Sequence, residues 1–305
     1  MGIIFVAGGI DFLHPLGNHL MQAAGSATAS EPSLIVKVFQ GFILGIVQGI
    51  TEFLPISSTA HLIIFRDVLH WDAWKKEAVD AIQLGSVFAV LMYFWNDIRN
   101  ILEGAWLAFQ RKEWQRYEWK MFMGIAIGAV PALLGGLVLK ILKVELESPL
   151  TIAIMSIVMA TLLGLAEKIG SRKRGFEDVE VKDGILVGLG QMISLLPGAS
   201  RSGSTLTTAL FIGLQRQTAA RFSFLLGLPT LAIATLVQAK DVLQVEGMFL
   251  PLIVGIISTF IFSYLSIAWL LKFLQRNSNW IFVWYRLAFG TAILIAIAQG
   301  FFIGG

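Results

Sequence analysis

The sequence predicts an all-α polytopic membrane protein: an inverted-topology repeat with six transmembrane helices and two re-entrant helix-loop-helix elements. Hydrophobic residues make up 56% of the 305 residues and charged residues only 14%, whereas a soluble domain averages about 45–50% apolar and about 25% charged residues. Several apolar runs approach the roughly 20 residues that a helix needs to cross the hydrocarbon core of a bilayer. Two further apolar regions are interrupted by proline, serine and other polar residues, which distinguishes them from simple spans.

The chain is predicted to divide into an N-terminal extension, residues 1–34, and one integral membrane domain, residues 35–305. No Lys or Arg precedes the apolar part of the extension, so we do not expect a signal peptide. Two interrupted regions, 35–69 and 184–214, each predict two short helices joined by a loop. The six uninterrupted apolar runs, which predict the spans, are residues 79–95, 121–141, 149–167, 219–238, 248–272 and 281–303.

The distribution of Lys and Arg predicts the orientation of the spans. Loops 96–120 and 168–183 hold five such residues each, and Lys272, Arg276 and Arg286 add three at the last connection. Cytoplasmic loops are enriched in Lys and Arg, so these three connections are predicted to face the cytoplasm. Counting crossings from them, the two interrupted regions enter the membrane from opposite faces.

A weak internal repeat supports this arrangement. A shift of 142 residues places Pro55 on Pro197 and Ser58 on Ser200. Inverted repeats with broken helices bring their binding site near the bilayer midplane, where the broken elements meet. The predicted halves cover residues 35–167 and 184–303.

Composition excludes several kinds of site. A net charge of only +3 gives no indication of nucleic-acid binding, and the absence of Cys excludes disulfides and thiolate metal sites. The four His residues are scattered and lack the spacing of zinc ligands. We therefore expect the bilayer and a membrane-embedded ligand as partners, and small residues throughout the helices would allow a homodimer.

The tips of the two interrupted regions carry the chemistry. They read "EFLPISSTAH" (52–61) and "LLPGASRSGST" (195–205), each a proline turn followed by a small, hydroxyl-rich helix start. Free N–H groups and the positive end of the helix dipole make such a start an anion site. Two of them facing one cavity predict a ligand that carries phosphate.

Glu52 and Arg201 are the costly residues of these tips, because a charge at membrane depth is unfavourable. One interpretation is a structural ion pair between them; the other makes Glu52 a general base or metal ligand and Arg201 a phosphate-binding group. Gln48 shares a helix face with Glu52, so it would contribute an amide oxygen to a metal or orient the carboxylate.

Ser58 is the preferred nucleophile, because Glu52 precedes it across the turn and His61 lies three residues further on. Not all of the tip serines can be nucleophiles, and helix capping is the default role for most of them. The further candidates for binding phosphate are Ser57, Thr59, Gly198, Ser200, Ser202 and Thr205.

The motifs "QGITEFLPISSTAHL" (48–62) and "PGASRSGST" (197–205) resemble the bacterial undecaprenyl-pyrophosphate phosphatase family, of the bacitracin-resistance type. The resemblance implies hydrolysis of undecaprenyl pyrophosphate to the monophosphate carrier lipid of cell-wall synthesis. It also implies a divalent cation, Mg²⁺ or Ca²⁺, and a site open to the periplasmic side of the inner membrane. Glu52, Ser58, His61 and Arg201 match the functional positions of the family, with Gln48 in support.

Two alternatives remain at this point. A transporter or flippase of a phosphate-bearing lipid would have the same inverted repeat and broken helices. A membrane lipid phosphatase that relies on paired histidines is disfavoured, because no His lies near Arg201 in the sequence.

Overall fold

The computed structural model describes residues 32–71, 73–144, 146–242 and 247–300. Within these ranges the chain forms α-helices, two short 3-10 turns and no strand. Residues 1–31 of the predicted extension lie outside them, and the division near residue 34 stays a prediction. The helices are α1 (Leu34–Phe53), α2 (Ser58–Val68), α3 (Lys76–Ala81), α4 (Leu84–Tyr93), α5 (Trp95–Arg111), α6 (Tyr117–Leu142), α7 (Pro149–Ile169), α8 (Val181–Met192), α9 (Arg201–Phe211), α10 (Arg216–Val242), α11 (Phe249–Leu274) and α12 (Trp280–Ala298).

The fold class is confirmed: among the described residues, six helices are long and apolar enough to cross a membrane. They are α1, α6, α7, α10, α11 and α12. The set differs from the prediction at two places. The first half of region 35–69 is a 20-residue helix rather than a short one, because no residue before Pro55 interrupts its apolar run.

The predicted span 79–95 is instead divided among α3, α4 and the start of α5. The chain turns at Ile82 and Gln83 between α3 and α4. A second break follows α4, where the axis bends by 67° between Lys76–Tyr93 and Trp95–Arg111. An apolar composition alone does not distinguish a broken helix from a straight one.

Much of the predicted loop 96–120 folds as the amphipathic helix α5. Ile101 and Ala105 face the protein, whereas Trp95 and Trp106 are about 60% exposed on a different stripe. Aromatic residues on one face and charges on another are typical of a helix that lies in the membrane interface.

Two helix pairs pack backbone to backbone through glycine. A Cβ atom at Gly45 of α1 would lie 2.5 Å from the carbonyl oxygen of Gly255 in α11. At Gly188 of α8 it would lie 2.1 Å from the carbonyl oxygen of Gly128 in α6. Small residues allow such close approach between membrane helices, where van der Waals packing drives association.

The same pairs relate the two halves of the chain. Gly41 and Gly45 of α1 stand 143 residues before Gly184 and Gly188 of α8. The first helix of each half packs on a helix of the other half, α1 on α11 and α8 on α6. This exchange supports two equivalent halves, and their inverted orientation stays a prediction.

The glycine contact between α8 and α6 provides a test of this packing. Gly188→Ala should lower the melting temperature by several °C, because overpacking a well-filled contact costs about 1–3 kcal/mol. Gly136→Ala in α6 is the matched control, since its Cβ would meet only Leu195 Cδ2 at 3.7 Å. Thermal unfolding in detergent should leave the control unchanged or raised; equal losses in both variants would contradict the packing argument.

Candidate active site

The two tips meet with the same local backbone. Ser57 ends the first tip as the N-cap of α2 with φ 74°, and Ser200 ends the second as the N-cap of α9 with φ 72°. Positive φ is uncommon for a residue with a Cβ atom. The structure therefore pairs Ser57 with Ser200, and Ser58 with Arg201, rather than Ser58 with Ser200. The reason is that one more residue separates the proline from the cap in the second tip.

A cavity of about 180 Å³ lies between the tips. Among the described residues that line it, Glu52 is the only acid and Arg201 the only cation. Its lining residues are Glu52, Ser57, Ser58, Thr59, Gln83, Ser194, Leu196, Pro197, Gly198, Ser200 and Arg201. The cavity therefore draws on both interrupted regions and on the break between α3 and α4.

Glu52 is 8% exposed at the end of α1 and is hydrogen-bonded on both oxygens. Its Oε2 accepts from Gln48 Nε2 at 2.8 Å and from Ser58 Oγ at 2.6 Å. Its Oε1 forms an ion pair with Arg201. Both the structural and the catalytic interpretation of Glu52 thus find their partners in one place.

The contact between Ser58 and Glu52 has the geometry of a nucleophile and its base. Ser58 is the first residue of α2 and lines the cavity. A hydroxyl and a base within about 2.6–3.2 Å are within proton-transfer reach. The preceding Ser57 makes no side-chain cap, so the first N–H groups of α2 are available to an anion.

Arg201 is the first residue of α9, and 21% of its side chain is exposed. Besides Glu52, its Nη1 donates a long hydrogen bond to the carbonyl oxygen of Gly227 at 3.4 Å. The structure brings Glu52 and Arg201 together as predicted. Their chemical roles stay predictions.

Ser57, Thr59, Gly198 and Ser200 line the cavity, as a phosphate-binding role requires. Gly198 must be glycine, since its φ is 89° and a Cβ atom would lie 2.5 Å from a carbonyl oxygen of α7.

Ser202 and Thr205 lie outside the lining and bond to backbone. Ser202 Oγ donates to the carbonyl oxygen of Leu54 at 3.0 Å and thereby joins the two tips. Thr205 Oγ1 donates to the carbonyl oxygen of Arg201 at 2.9 Å within α9.

His61 is also outside the cavity lining. Its Nδ1 bonds the carbonyl oxygen of Ser57 at 2.7 Å, and its Nε2 contacts Tyr285 Oη at 2.6 Å. A carbonyl oxygen only accepts, so Nδ1 carries the proton and Nε2 accepts from the tyrosine. The ring also stacks on Phe289 with centroids 4.4 Å apart. His61 therefore reaches the site through Ser57, whose carbonyl it holds.

Arg286 is the residue that the sequence analysis misplaced. It was counted with the cytoplasmic loop cations, but it lies within α12 and is 1% exposed. Its Nη1 donates to Pro55 O and Ala199 O, both at 3.1 Å, and its Nη2 to Gly198 O at 2.8 Å. Nε donates to Ser156 O of α7 at 3.2 Å. One guanidinium thus holds both tips; an arginine inside an apolar run was the signal.

Arg286→Lys should loosen both tips, because an ammonium group cannot reproduce the planar fork of the guanidinium. We expect a loss of about 2 kcal/mol of stability, seen as a melting temperature several °C lower, and about tenfold lower activity. Arg276→Lys, in the connection between α11 and α12, is the control. If Arg286→Lys matched wild type in both measurements, the guanidinium would not be what holds the tips.

Gln83 and Ser194 line the cavity and were not predicted. Ser194 Oγ donates to the carbonyl oxygen of Gln191 at 2.6 Å. A glutamine within an apolar run was the available signal for Gln83. The serine had none beyond its nearness to the "PGASRSGST" motif.

The donor set was compared with the needs of a divalent cation. Within the described ranges no three His, Asp or Glu side chains converge. Mg²⁺ is often held by one or two carboxylates plus substrate phosphates, which Glu52 fits. Gln48 turns its N–H to Glu52, so its Oε1, which is buried and has no partner among the described residues, points away from that carboxylate. In this arrangement Gln48 orients Glu52, and ligation by both would need the amide to rotate.

Comparison with known proteins agrees with the geometry. The family model described as bacitracin resistance protein BacA matches residues 41–292. The chain belongs to the BacA family. The matched range includes both tips and all of the residues that line the cavity.

Curated relatives carry one name. A protein of Thermosynechococcus vestitus named undecaprenyl-diphosphatase is 61% identical over 267 residues, which is 87% of this chain and 98% of the relative. Proteins of the same name from Synechocystis sp. (50% identity; 87% of this chain, 84% of the relative) and Prochlorococcus marinus (48%; 87% and 93%) are also similar. The family is therefore shown over most of the chain.

Proposed function

We propose that this protein is an undecaprenyl-diphosphatase, which hydrolyses undecaprenyl pyrophosphate to undecaprenyl phosphate and inorganic phosphate. The observation that carries the proposal is the group formed by Ser58, Glu52 and Arg201 at a polar cavity between the two tips. Family membership and the names of the relatives support the same activity.

In the proposed mechanism Glu52 Oε2 takes the proton of Ser58, and Ser58 Oγ attacks the terminal phosphorus. The bond from that phosphorus to the bridging oxygen breaks, and undecaprenyl phosphate leaves with the electron pair. Water then attacks the phosphoserine, and inorganic phosphate and free Ser58 result. Arg201 and the first N–H groups of α2 stabilise the charge on the transferred phosphoryl group.

A divalent cation, Mg²⁺ or Ca²⁺, is proposed to bind between Glu52 and the pyrophosphate oxygens. When bound, it would neutralise part of the charge of the diphosphate. If Ser58 is not the nucleophile, the same carboxylate would direct a water molecule at the terminal phosphorus.

The membrane setting follows from the long apolar helices. We propose that the protein lies in the bacterial inner membrane with its cavity open to the periplasmic side, where the isoprenoid tail stays among the helices. A flippase is the less favoured alternative, since the relatives bear the name of a phosphatase. A homodimer, which the sequence allows, is open to crosslinking in membranes.

Phosphate release by purified protein in detergent micelles tests the proposal, since a micelle offers no second compartment for transport. Wild type should release one phosphate per undecaprenyl pyrophosphate, and a chelator should suppress the release until Mg²⁺ or Ca²⁺ is restored. A flippase would release none. Release that a chelator leaves unchanged would contradict the cation but not the phosphatase.

A further inference from the structure

A buried glutamine beside Arg201 is not used by the mechanism above. Gln191 of α8 is 1% exposed, and neither Oε1 nor Nε2 of its amide has a hydrogen-bond partner among the described residues. Burying an amide without partners is costly, so native proteins retain few of them without a reason. An interaction that forms only when a ligand is present is one such reason.

The position of Gln191 in the repeat points to Arg201. Gln191 stands 143 residues after Gln48, the separation that also relates Ser57 to Ser200. Gln48 bonds the charged residue of the first tip, Glu52. Gln191 is therefore placed to serve the charged residue of the second tip.

The surroundings of Gly227 in α10 show that the two side chains are near each other. A Cβ atom at Gly227 would lie 3.7 Å from Gln191 Oε1, 3.6 Å from Arg201 Cδ and 3.9 Å from Arg201 Nε. The amide and the guanidinium thus border one gap, which is open because residue 227 has no side chain. A methyl group would fit there without a clash but would occupy the space between them.

An incoming diphosphate competes with Glu52 for the guanidinium, because charged oxygens are the strongest acceptors for arginine. As the N–H groups turn toward phosphoryl oxygens, those on the other edge need a new acceptor. Gln191 Oε1 is the unsatisfied acceptor on the side of Gly227.

We propose that Gln191 is a positioning residue: its Oε1 accepts a hydrogen bond from Arg201 when a diphosphate fills the cavity, and so fixes the plane of the guanidinium against the transferred phosphoryl group. The inference rests on the phosphatase function proposed above. It assigns Gln191 and the gap at Gly227 to the same step.

Two variants test the proposal from opposite sides of the gap. Gln191→Met removes the acceptor at similar volume, and Gly227→Ala fills the gap. Each should lower kcat for undecaprenyl pyrophosphate about ten- to a hundredfold with little change in KM, because a misplaced catalytic group affects the transition state most. Neither should lower the melting temperature, since one removes a buried unpaired amide and the other replaces a helical glycine by alanine.

Gln40→Met is the matched control, since Gln40 of α1 is 7% exposed and its Oε1 also lacks a partner among the described residues. It should leave kcat unchanged. Wild-type kcat in either test variant, or a kcat loss that comes with a comparable fall in melting temperature, would overturn the positioning role. An active wild type with an unaffected Gln191→Met contradicts this inference alone, whereas an inactive wild type contradicts the phosphatase function as well.

Discussion

Glu52→Gln is expected to lower the turnover of undecaprenyl pyrophosphate about a thousandfold, because the amide cannot take the proton of Ser58. The amide oxygen can still accept from Ser58 or Gln48, so the site keeps its shape. The charge of Arg201, however, loses its counter-ion. Phosphate release under steady-state conditions measures the effect, and the loss should appear in kcat rather than in KM.

Glu103→Gln is the matched control for this change. Glu103 pairs with Arg99 on the surface of α5, where both side chains are about 60% exposed. Exposed pairs of this kind contribute about 0–1 kcal/mol, so the control should retain wild-type turnover. Turnover within tenfold of wild type in Glu52→Gln would leave the carboxylate with only the structural role of an ion pair.

Ser58→Ala is expected to reduce turnover by a factor on the order of 10³, because the attacking oxygen is lost while the carboxylate and the arginine remain. The phosphoserine trapped by acid quenching of wild type should also disappear, as detected by mass spectrometry. Both measurements address the same atom, Ser58 Oγ, which lies 2.6 Å from its base.

Ser263→Ala controls for the loss of a buried hydroxyl, since Ser263 Oγ bonds only Ser86 Oγ among the described residues, at 2.9 Å. It should leave turnover unchanged. If Ser58→Ala keeps most of its activity and no phosphoserine forms in wild type, the nucleophile is water directed by Glu52. That outcome would preserve the phosphatase function and replace its first step.

The sequence predicts this site well where a residue type is out of place. A carboxylate and a guanidinium in apolar surroundings, each beside a proline turn, were sufficient to pair Glu52 with Arg201 across 149 residues of chain. The hydroxyl of Ser58 followed from its nearness to Glu52 in the chain. Such predictions succeed because a buried charge has few tolerable environments.

The parts that sequence reasoning missed depend on backbone atoms or on loop lengths. Arg286 bonds carbonyl oxygens of both tips, and any residue type can supply a carbonyl. One extra residue in the second tip shifts the repeat from 142 to 143, so Ser57 rather than Ser58 corresponds to Ser200. The break at Gln83 is likewise invisible in composition, because apolar residues flank it on both sides.

The central claim is that the two tips form the walls of one cavity that holds the diphosphate. Since the natural chain has no Cys, a Thr59→Cys/Ser194→Cys variant carries one thiol on the wall of each tip. Bifunctional thiol reagents of increasing length should link these two thiols within one chain, and saturating undecaprenyl pyrophosphate should prevent the link. No link at any length, or a link that forms equally fast with the lipid bound, would contradict the account.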